Sequence, residues 1–534
     1  MFEFLKVRLG RRDLFRGATM AALPAFLQSR AAAAPAEGLQ TGKGLYQSIG
    51  VKPLINARGT FTIISGSTML PEVRAAMAEA SQQHVHIDEL MDGIGARLAE
   101  LTKAEWGMVS CGCSAALTHA TAACIAGGNP DLHVRIPDLT GFPKDEVIIP
   151  RYSRNVYDAA IRCVGAKVVE ASTAEELEAA FGPRTAMVYI LASPQADDGP
   201  LSTRAICQIA NRKNVPVLVD AAAEILTVPN VHLDAGAALV AYSGGKCIRG
   251  PQTAGLLLGR KDLVRAAWVH SSPHHGFARS MKIGKEEAIG MLMAVEMWMK
   301  RDHKAEWNQW MARLDHIAKR LSGVDGVTTS VREPNGLSNK TPSLSITWEE
   351  AKLGISGPAA ARHLFTTEPR IALPTGGGGR RGGGGTPGQT GISVVPYMMA
   401  PGEEKIVADR IRVVLSNPPK QETVQPKSPA ADLSGRWDVR IEYFASVSNH
   451  VLHLRQQGER IEGTHQGDFV SRDLGGTIDG DQIRIVSSYN GNGDSLPYQF
   501  TGKAAGDEIT GTLEMGEYLG ARWTAKRHQF RTRG

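Results

Sequence analysis

The 534-residue sequence has no long apolar run, few cysteines and little excess of either charge. No segment reaches the roughly 18 consecutive apolar residues of a membrane-spanning helix, so we expect a soluble mature protein with no membrane partner. All six cysteines lie between positions 111 and 247, which is not the pattern of a disulfide-stapled scaffold. The net charge is +6, and six cations against two acids in the first 30 residues leave only +2 for the rest. That balance gives no reason to expect nucleic acid as a partner.

The cysteines and histidines also lack the spacing of a metal site. Cys111-Gly-Cys113 has no second ligand pair at zinc-binding spacing. The histidine pairs His84/His86 and His274/His275 have no nearby cluster of cysteines or carboxylates. We therefore predict no metal site and interpret the cysteines as small buried thiols.

The N-terminus has the composition of an export signal. Residues 1–36 combine a basic segment, a short apolar stretch over 17–28 and a run of small residues at Ala31–Ala34. The segment Arg11-Arg12-Asp13-Leu14-Phe15-Arg16 resembles a twin-arginine signal, which exports folded proteins. We expect a periplasmic or secreted protein. The alternative is a basic amphipathic helix that stays attached.

From about residue 43 to 415, segments of helical period alternate with short apolar strands, which predicts an α/β fold with helices on a largely parallel sheet. We assign 43–310 to a large domain and 311–416 to a small α+β lobe. The predicted helices of the large domain are Pro71–Gln82, Ser114–Ala126, Thr173–Phe181, Ser202–Lys213 and Lys285–Arg301. Its predicted strands are Trp106–Ser110, Glu146–Pro150, Lys167–Glu170, Ala186–Leu191, Pro216–Asp220, Leu239–Ser243 and Thr253–Leu258.

The C-terminal part of the chain differs in composition and in the periodicity of its apolar residues. Thr375–Gly385 contains eight glycines and two arginines and leads into an extended segment, so we interpret it as a surface loop and not as a phosphate loop. Residues 417–432 form a linker rich in Pro, Lys and Ala. Residues 433–534 alternate apolar and polar residues between glycine turns, which predicts an antiparallel β-meander or barrel. Gly435-Arg-Trp437 resembles the first strand of lipocalin-like and avidin-like barrels, so this domain either binds a ligand or serves as a spacer or oligomer contact.

Three segments of the large domain carry residues suited to chemistry. An apolar strand ends in a carboxylate at Asp220, and ligands bind at that edge of an open α/β sheet. The next strand is followed by Lys246, between glycines that let backbone and ligand approach closely. Gly112-Cys113-Ser114 leads from a strand into a long helix, whose free N–H groups suit a phosphate. Together the segments predict a site for pyridoxal 5'-phosphate (PLP).

Each predicted site residue has a role in such a site. Lys246 would join the cofactor aldehyde as an aldimine and act as the catalytic base, and Asp220 would keep the pyridine nitrogen protonated. Gly112, Cys113 and Ser114 would hold the phosphate, with a hydroxyl added by Ser243. Taken singly, Asp220 could cap a strand, Lys246 could be a surface lysine, and the glycine segment could be an ordinary helix cap.

A family resemblance supports the combined interpretation. Ser243-Gly-Gly-Lys246-x-x-Arg249-Gly-Pro-Gln252 resembles the cofactor-lysine segment of the selenocysteine synthase-like (L-seryl-tRNA(Sec) selenium transferase-like) group of fold-type I PLP enzymes. Further segments agree, namely Ile55–Thr60, Asp220–Glu224, Arg279–Glu287 and Pro401–Glu404. We expect no counterpart of the N-terminal tRNA-binding domain of the selenium transferases, and the chain has Gly245 where they have aspartate. It is more similar to the small-molecule branch exemplified by D-glucosaminate-6-phosphate ammonia-lyase.

The resemblance implies a large cofactor domain, a small lobe, and a homodimer or higher assembly with shared active sites. It also implies α,β-elimination on an amino acid or amino sugar acid, with release of ammonia and a keto acid. We consider Arg279, Lys282, Lys285 and Arg58 as candidates to bind an anionic group of the substrate. A racemase or aminotransferase using the same Lys246, or a binding protein without cofactor, are the alternatives.

Overall fold

The structure is a computed structural model that describes residues 38–42, 44–374, 388–419, 427–491 and 494–529. The predicted export signal and the whole glycine-rich segment Thr375–Gly385 lie outside the described residues. Within these ranges, no helix combines the length and the apolar character needed to cross a bilayer.

The described strands fall into a large-domain set, a small-lobe set and a C-terminal set. They are β1 (Ile55–Asn56), β2 (Trp106–Ser110), β3 (Glu146–Pro150), β4 (Lys167–Ala171), β5 (Thr185–Leu191), β6 (Val217–Asp220), β7 (Leu239–Ser243), β8 (Gly255–Gly259), β9 (Val327–Arg332), β10 (Ser343–Glu349), β11 (Ile371–Ala372), β12 (Gln389–Val394), β13 (Gly435–Glu442), β14 (Val447–Gln457), β15 (Arg460–Gln466), β16 (Ser471–Asp479), β17 (Gln482–Gly491), β18 (Asp494–Ala505), β19 (Glu508–Glu514) and β20 (Gly520–Arg527).

The helices lie between the strands of the first two sets. They are α1 (Pro71–Ala80), α2 (Ile87–Thr102), α3 (Cys113–Ala126), α4 (Pro130–His133), α5 (Ala159–Arg162), α6 (Ala174–Ala180), α7 (Pro194–Asp197), α8 (Thr203–Arg212), α9 (Val231–Asp234), α10 (Lys261–Val269), α11 (Lys285–Lys300), α12 (His303–Leu321), α13 (Glu350–Leu353), α14 (Gly357–Thr366) and α15 (Glu403–Ser416). The helices and strands predicted for the large domain are confirmed to within two residues at each end.

The large domain is built on a seven-stranded sheet in the order β2-β8-β7-β6-β5-β3-β4. All neighbouring pairs are parallel except those of β8, which runs antiparallel to β2 and β7. Its central strands β5 to β8 are almost wholly buried, because helices cover both faces and the strands consist of Val, Leu, Ile and small residues. Parallel order brings the carboxyl ends of β6 and β7 to one edge, where Asp220 and Lys246 lie.

The small lobe has its own core around the antiparallel sheet β9-β10-β12, packed against α12, α14 and α15. The short strand β1 pairs in parallel with β11, and Ile55 packs in this core. The segment around Ile55, which we predicted within the large domain, therefore packs with the small lobe. Its two-residue strand is completed by a partner more than 300 residues away, which local sequence does not reveal.

Strands β13 to β20 form a closed antiparallel barrel in which each strand pairs with its neighbours along the chain and β20 closes against β13. Closure removes the exposed strand edges that an open sheet would present. Trp437 lies in the core, and the Arg527 guanidinium stacks on its ring with Cζ 4.5 Å from the centroid. The predicted fold class, an α/β large domain with a small lobe and an added all-β barrel, is confirmed.

Candidate active site

Asp220 and Lys246 lie at the same edge of the large sheet. Asp220 is the last residue of β6, and Lys246 follows the end of the adjacent strand β7 by three residues. The turn to Lys246 requires glycine, because a Cβ at Gly244 would lie 2.8 Å from two backbone oxygens and a Cβ at Gly245 would lie 2.9 Å from Gln252 Cα. The glycine pair therefore allows the chain to fold back tightly and present the lysine to the cleft.

Asp220 is a buried carboxylate held by three donors. Asp220 is only 2% exposed, and its Oδ2 accepts a hydrogen bond from the Tyr189 hydroxyl at 3.0 Å. Oδ1 accepts from the Ala222 amide at 3.1 Å and contacts Cys113 Sγ at 3.6 Å. Burial raises the pKa of Asp220, whereas the hydrogen bonds and the nearby charge of Lys246 act in the opposite direction. A carboxylate in this setting would be stabilised by a further positive N–H group.

The N-terminus of α3 forms a cradle for an anion. Gly112 caps the helix at a φ of 102°, and no side chain caps it. Among the described residues, the backbone N–H groups of Cys113, Ser114 and Ala115 have no acceptor. Gly255 of β8 packs directly beneath, since a Cβ there would lie 2.3 Å from Gly112 C. Free N–H donors at the positive end of a 14-residue helix suit a phosphate group.

The residues present thus fit PLP. The N–H groups at the start of α3, with Ser243 at the end of β7, would hold its phosphate, and Asp220 would keep a proton on its pyridine nitrogen. PLP supplies a ring that withdraws electrons from the α-carbon of a bound amine substrate. Lys246 supplies an amine that can take up or return a proton at that carbon. The Cys113 thiol contacts Asp220, so Cys113 lies at the site with its side chain as well as with its backbone N–H group.

Lys246 opens into a cleft of about 1110 Å³ between the large domain and the small lobe. The cleft is strongly cationic, and beside Lys246 its charged lining consists of Arg74, Arg249, Arg301, Arg313, Lys304 and Lys340 against the carboxylates Glu306 and Glu403. Three indoles, Trp298, Trp307 and Trp310, add apolar surface. An anionic substrate with an apolar or sugar-like body suits such a lining.

Arg249 lies near three other arginines of the cleft. Burial and the charges of Arg301, Arg74 and Arg313 lower the pKa of Arg249, with Glu306 opposing them. Its backbone has a φ of 60°, an uncommon conformation for a residue with a side chain. The guanidinium donates to Thr68 O at 2.9 Å and to Thr68 Oγ1 at 3.2 Å. The neighbouring guanidiniums repel one another, and a bound anion would relieve that repulsion.

The predicted substrate-binding cations lie elsewhere in the chain. The Arg58 guanidinium stacks on the Phe61 ring at 4.5 Å, Arg279 Nη1 donates to Ser272 Oγ at 2.8 Å, and Lys285 pairs with Glu286. Lys282 is exposed. None of the four lines the described part of the cleft beside Lys246, where the arginines named above stand instead.

No known protein-family profile matches the chain. It is 32% identical over 299 residues to D-glucosaminate-6-phosphate ammonia lyase of Salmonella typhimurium, covering 54% of this chain and 78% of that protein. It is 31% identical over 343 residues to 5'-C-glycyluridine monooxygenase-decarboxylase of a Streptomyces species, covering 61% and 83%. A solved structure of D-glucosaminate-6-phosphate ammonia-lyase superposes with a TM-score of 0.61 at 29% identity over 70% of this chain and 99% of that one.

The fold and the site define a fold-type I PLP-dependent enzyme, and its enzyme class is that of a lyase. The chain belongs to the selenocysteine synthase-like family of these enzymes. The expected cofactor, pyridoxal 5'-phosphate, is confirmed by these relatives. The roles of the individual site residues remain predictions.

Proposed function

We propose that the protein is an exported lyase that catalyses α,β-elimination on an amino acid or amino sugar acid carrying an additional anionic group. The observation that carries the proposal is the cleft beside Lys246, whose lining contains six cationic side chains and two carboxylates. Arg301 pairs with Glu306, which leaves five cations against Glu403. One substrate carboxylate would not balance such a cluster, so we infer a second negative charge on the substrate.

In the proposed reaction, Lys246 takes the proton from the substrate α-carbon, and the bond between the β-carbon and the leaving group breaks. The leaving group departs with the electron pair of that bond. The remaining enamine takes up a proton and is hydrolysed by water to ammonia and a keto acid. Asp220 would keep the pyridine nitrogen of bound PLP protonated, and the indoles of the cleft would limit the access of bulk water.

The experiment is a screen of the PLP-loaded protein against D- and L-amino acids and amino sugar acids, with and without a phosphate or second carboxylate. We expect ammonia and keto acid without any amino acceptor, and faster turnover of the dianionic substrates. A Lys246→Ala protein checks that release depends on the lysine. Inversion of the substrate without ammonia release, or turnover only with a keto-acid acceptor, would contradict elimination.

We further propose export to the periplasm or beyond through the Arg11-Arg12 segment, and assembly into a homodimer. The twin arginines, the short apolar stretch and the small residues after it support export. Arg279 and Lys282 do not line the cleft of their own chain, and a role at the site of a second subunit is compatible with that position.

A further inference from the structure

The two ends of the C-terminal barrel are built differently. At the end where the linker enters, strands are joined by tight turns at Gly458, Gly480 and Gly506, each with φ near +60°. At the opposite end, which we call the open end, longer loops occupy 443–446, 467–470 and 515–519. Two of these loops place Phe444 and Phe469 in solvent, 82% and 97% exposed. Exposed phenyl groups around one end of a barrel suggest a binding surface, since folding gains nothing from them.

The interior also changes character along the barrel. Near the tight turns it is apolar, with residues such as Trp437, Ile461 and Ile509. Near the open end, inward positions of neighbouring strands carry a polar cluster, defined here as His450, His465, Arg472, Ser487 and Tyr498. An apolar layer would stabilise the barrel without the cost of removing polar side chains from water. We therefore infer that the polar cluster has a role beyond folding.

Within this cluster, two histidines and a serine form a hydrogen-bonded chain. Ser487 Oγ lies 2.7 Å from His465 Nδ1, and His465 Nε2 lies 2.8 Å from His450 Nδ1. Burial lowers the pKa of both rings, that of His465 to about 3, so each ring is neutral at neutral pH and carries one proton. This hydrogen-bonded chain therefore couples the position of the proton on the His450 ring to the orientation of the Ser487 hydroxyl.

The last ring nitrogen of this hydrogen-bonded chain, His450 Nε2, has no hydrogen-bond partner among the described residues. His450 is 3% exposed, and its Nε2 has no acceptor among the described residues. The Asp468 carboxylate, held by Ser448, lies 3.7 Å away and favours the tautomer with the proton on Nε2. His450 thus presents a buried N–H donor at the open end.

Arg472 provides the second set of unpaired donors. Its guanidinium stacks on the Tyr498 ring, with Cζ 4.6 Å from the centroid. Its Nε and Nη1 atoms are buried without a hydrogen-bond partner, and no described carboxylate lies within ion-pairing distance. Buried N–H groups of a guanidinium that lack an acceptor are costly, and a bound anion would offset that cost.

We propose that the open end of the barrel binds a small carboxylic acid with an aromatic or apolar body. The carboxylate accepts from Arg472 and from His450 Nε2, while the body lies against Tyr498 and the Phe444 and Phe469 loops. A monoanion fits better than a phosphate dianion, because Arg472 is the single cation of the cluster and Asp468 is a nearby carboxylate. This site lies in a different domain from Lys246 and goes beyond the proposed lyase function.

The test is calorimetric titration of the full-length, PLP-loaded protein with benzoate and with benzyl alcohol, which has a similar shape and no charge. We expect benzoate to bind with Kd of about 1 mM or lower and benzyl alcohol to bind at least about tenfold more weakly. Binding should leave the visible absorption of the cofactor unchanged, because the two sites are separate. Equal binding of the two compounds, or no benzoate binding at about ten times that concentration, would overturn the proposal.

Substitutions in the polar cluster test whether benzoate binds at the open end of the barrel. Arg472→Met keeps most of the side-chain length without the guanidinium and should weaken benzoate binding at least about tenfold. Arg455→Met, on an exposed position of β14, is the matched control and should bind as the native protein does. Undiminished benzoate binding by Arg472→Met would place the ligand elsewhere and refute the site. If that variant does not fold, His450→Leu replaces it, because leucine has no N–H donor, and the same weakening is expected.

Discussion

The Tyr189 hydroxyl donates a 3.0 Å hydrogen bond to Asp220 Oδ2, and both side chains are buried. The contact follows from strand register: Leu191 of β5 pairs with Asp220 of β6, so Tyr189 lies two residues earlier on the same face of the sheet. The hydroxyl holds the carboxylate in one orientation and stabilises its charged form. We therefore predict that Tyr189 is a positioning residue that acts on the cofactor through Asp220.

Tyr189→Phe should slow the reaction and shift its pH profile. Burial raises the pKa of Asp220 and the Tyr189 hydrogen bond lowers it, so removing the hydroxyl raises this pKa further. Less carboxylate is then present at a given pH, and the acidic limb of kcat should move to higher pH. We expect kcat to fall about tenfold near neutral pH, since a hydrogen bond to a charged group contributes about 1.5 kcal/mol. An unchanged acidic limb would show that Tyr189 does not act through Asp220.

Asp220→Asn should have opposite effects on stability and on activity. In cofactor-free protein the folded-state pKa of Asp220 is raised by burial, so the folded state binds the proton more tightly than the unfolded state. The stability contributed by this group is present below the unfolded pKa and is lost as pH rises through the folded pKa. The neutral asparagine avoids that loss, so we expect the cofactor-free variant to resist urea better than the native chain at pH about 8, with a smaller difference at lower pH.

The same variant should lose most activity when loaded with PLP, because asparagine does not hold the ring proton electrostatically. Measured together, urea midpoints and turnover separate a structural role from a catalytic one. A cofactor-free variant that is less stable than the native chain at every pH would contradict the assigned burial cost.

Sequence reasoning could find Asp220 and Lys246 because each follows a short apolar strand, and parallel strands bring their carboxyl ends together. It could not find Tyr189, which is an ordinary apolar-looking position inside β5 until the register with β6 is known. The arginines of the cleft come from separate helices and loops, and only the packing of the two domains assembles them. By contrast, Arg279, Lys282 and Lys285 lie close together in the sequence, and this proximity does not determine whether their side chains face the cleft of their own chain.

Replacement of Arg11 and Arg12 by lysine tests the export proposal. The twin-arginine pathway reads the paired guanidiniums, so we expect the double variant to remain in the cytoplasm with its full length, whereas the native chain is shortened and recovered outside the cytoplasm. Fractionation and N-terminal mass determination measure both effects. Replacement of the nearby Arg8 by lysine is the control and should leave export unchanged. Native protein retained in the cytoplasm at full length would refute the proposal.

Gly255→Ala should weaken PLP binding through the phosphate cradle. The added Cβ would lie 2.3 Å from Gly112 C and 2.5 Å from Cys113 N, so the start of α3 must move. We expect PLP affinity to fall at least about tenfold, measured by cofactor titration followed by absorbance at about 420 nm. Gly93→Ala is the control, because its Cβ meets nothing within 4 Å in α2 and should raise stability by about 0.5–1 kcal/mol. Unchanged PLP affinity in Gly255→Ala would exclude the cradle.

Arg249→Met tests whether the cationic cleft recognises the second negative charge of the substrate. The variant removes a guanidinium from a cluster of four and keeps most of the side-chain length. For a dianionic substrate we expect KM to rise about tenfold or more with a smaller change in kcat, because the lost interaction is made in both ground and transition states. A substrate with one fewer charge should show a smaller rise. The control is Arg265→Met on the surface helix α10, where Arg265 faces Asp92 and not the cleft. An equal rise in KM for both substrates would mean that Arg249 binds the carboxylate common to them, and the second charge would then require another arginine.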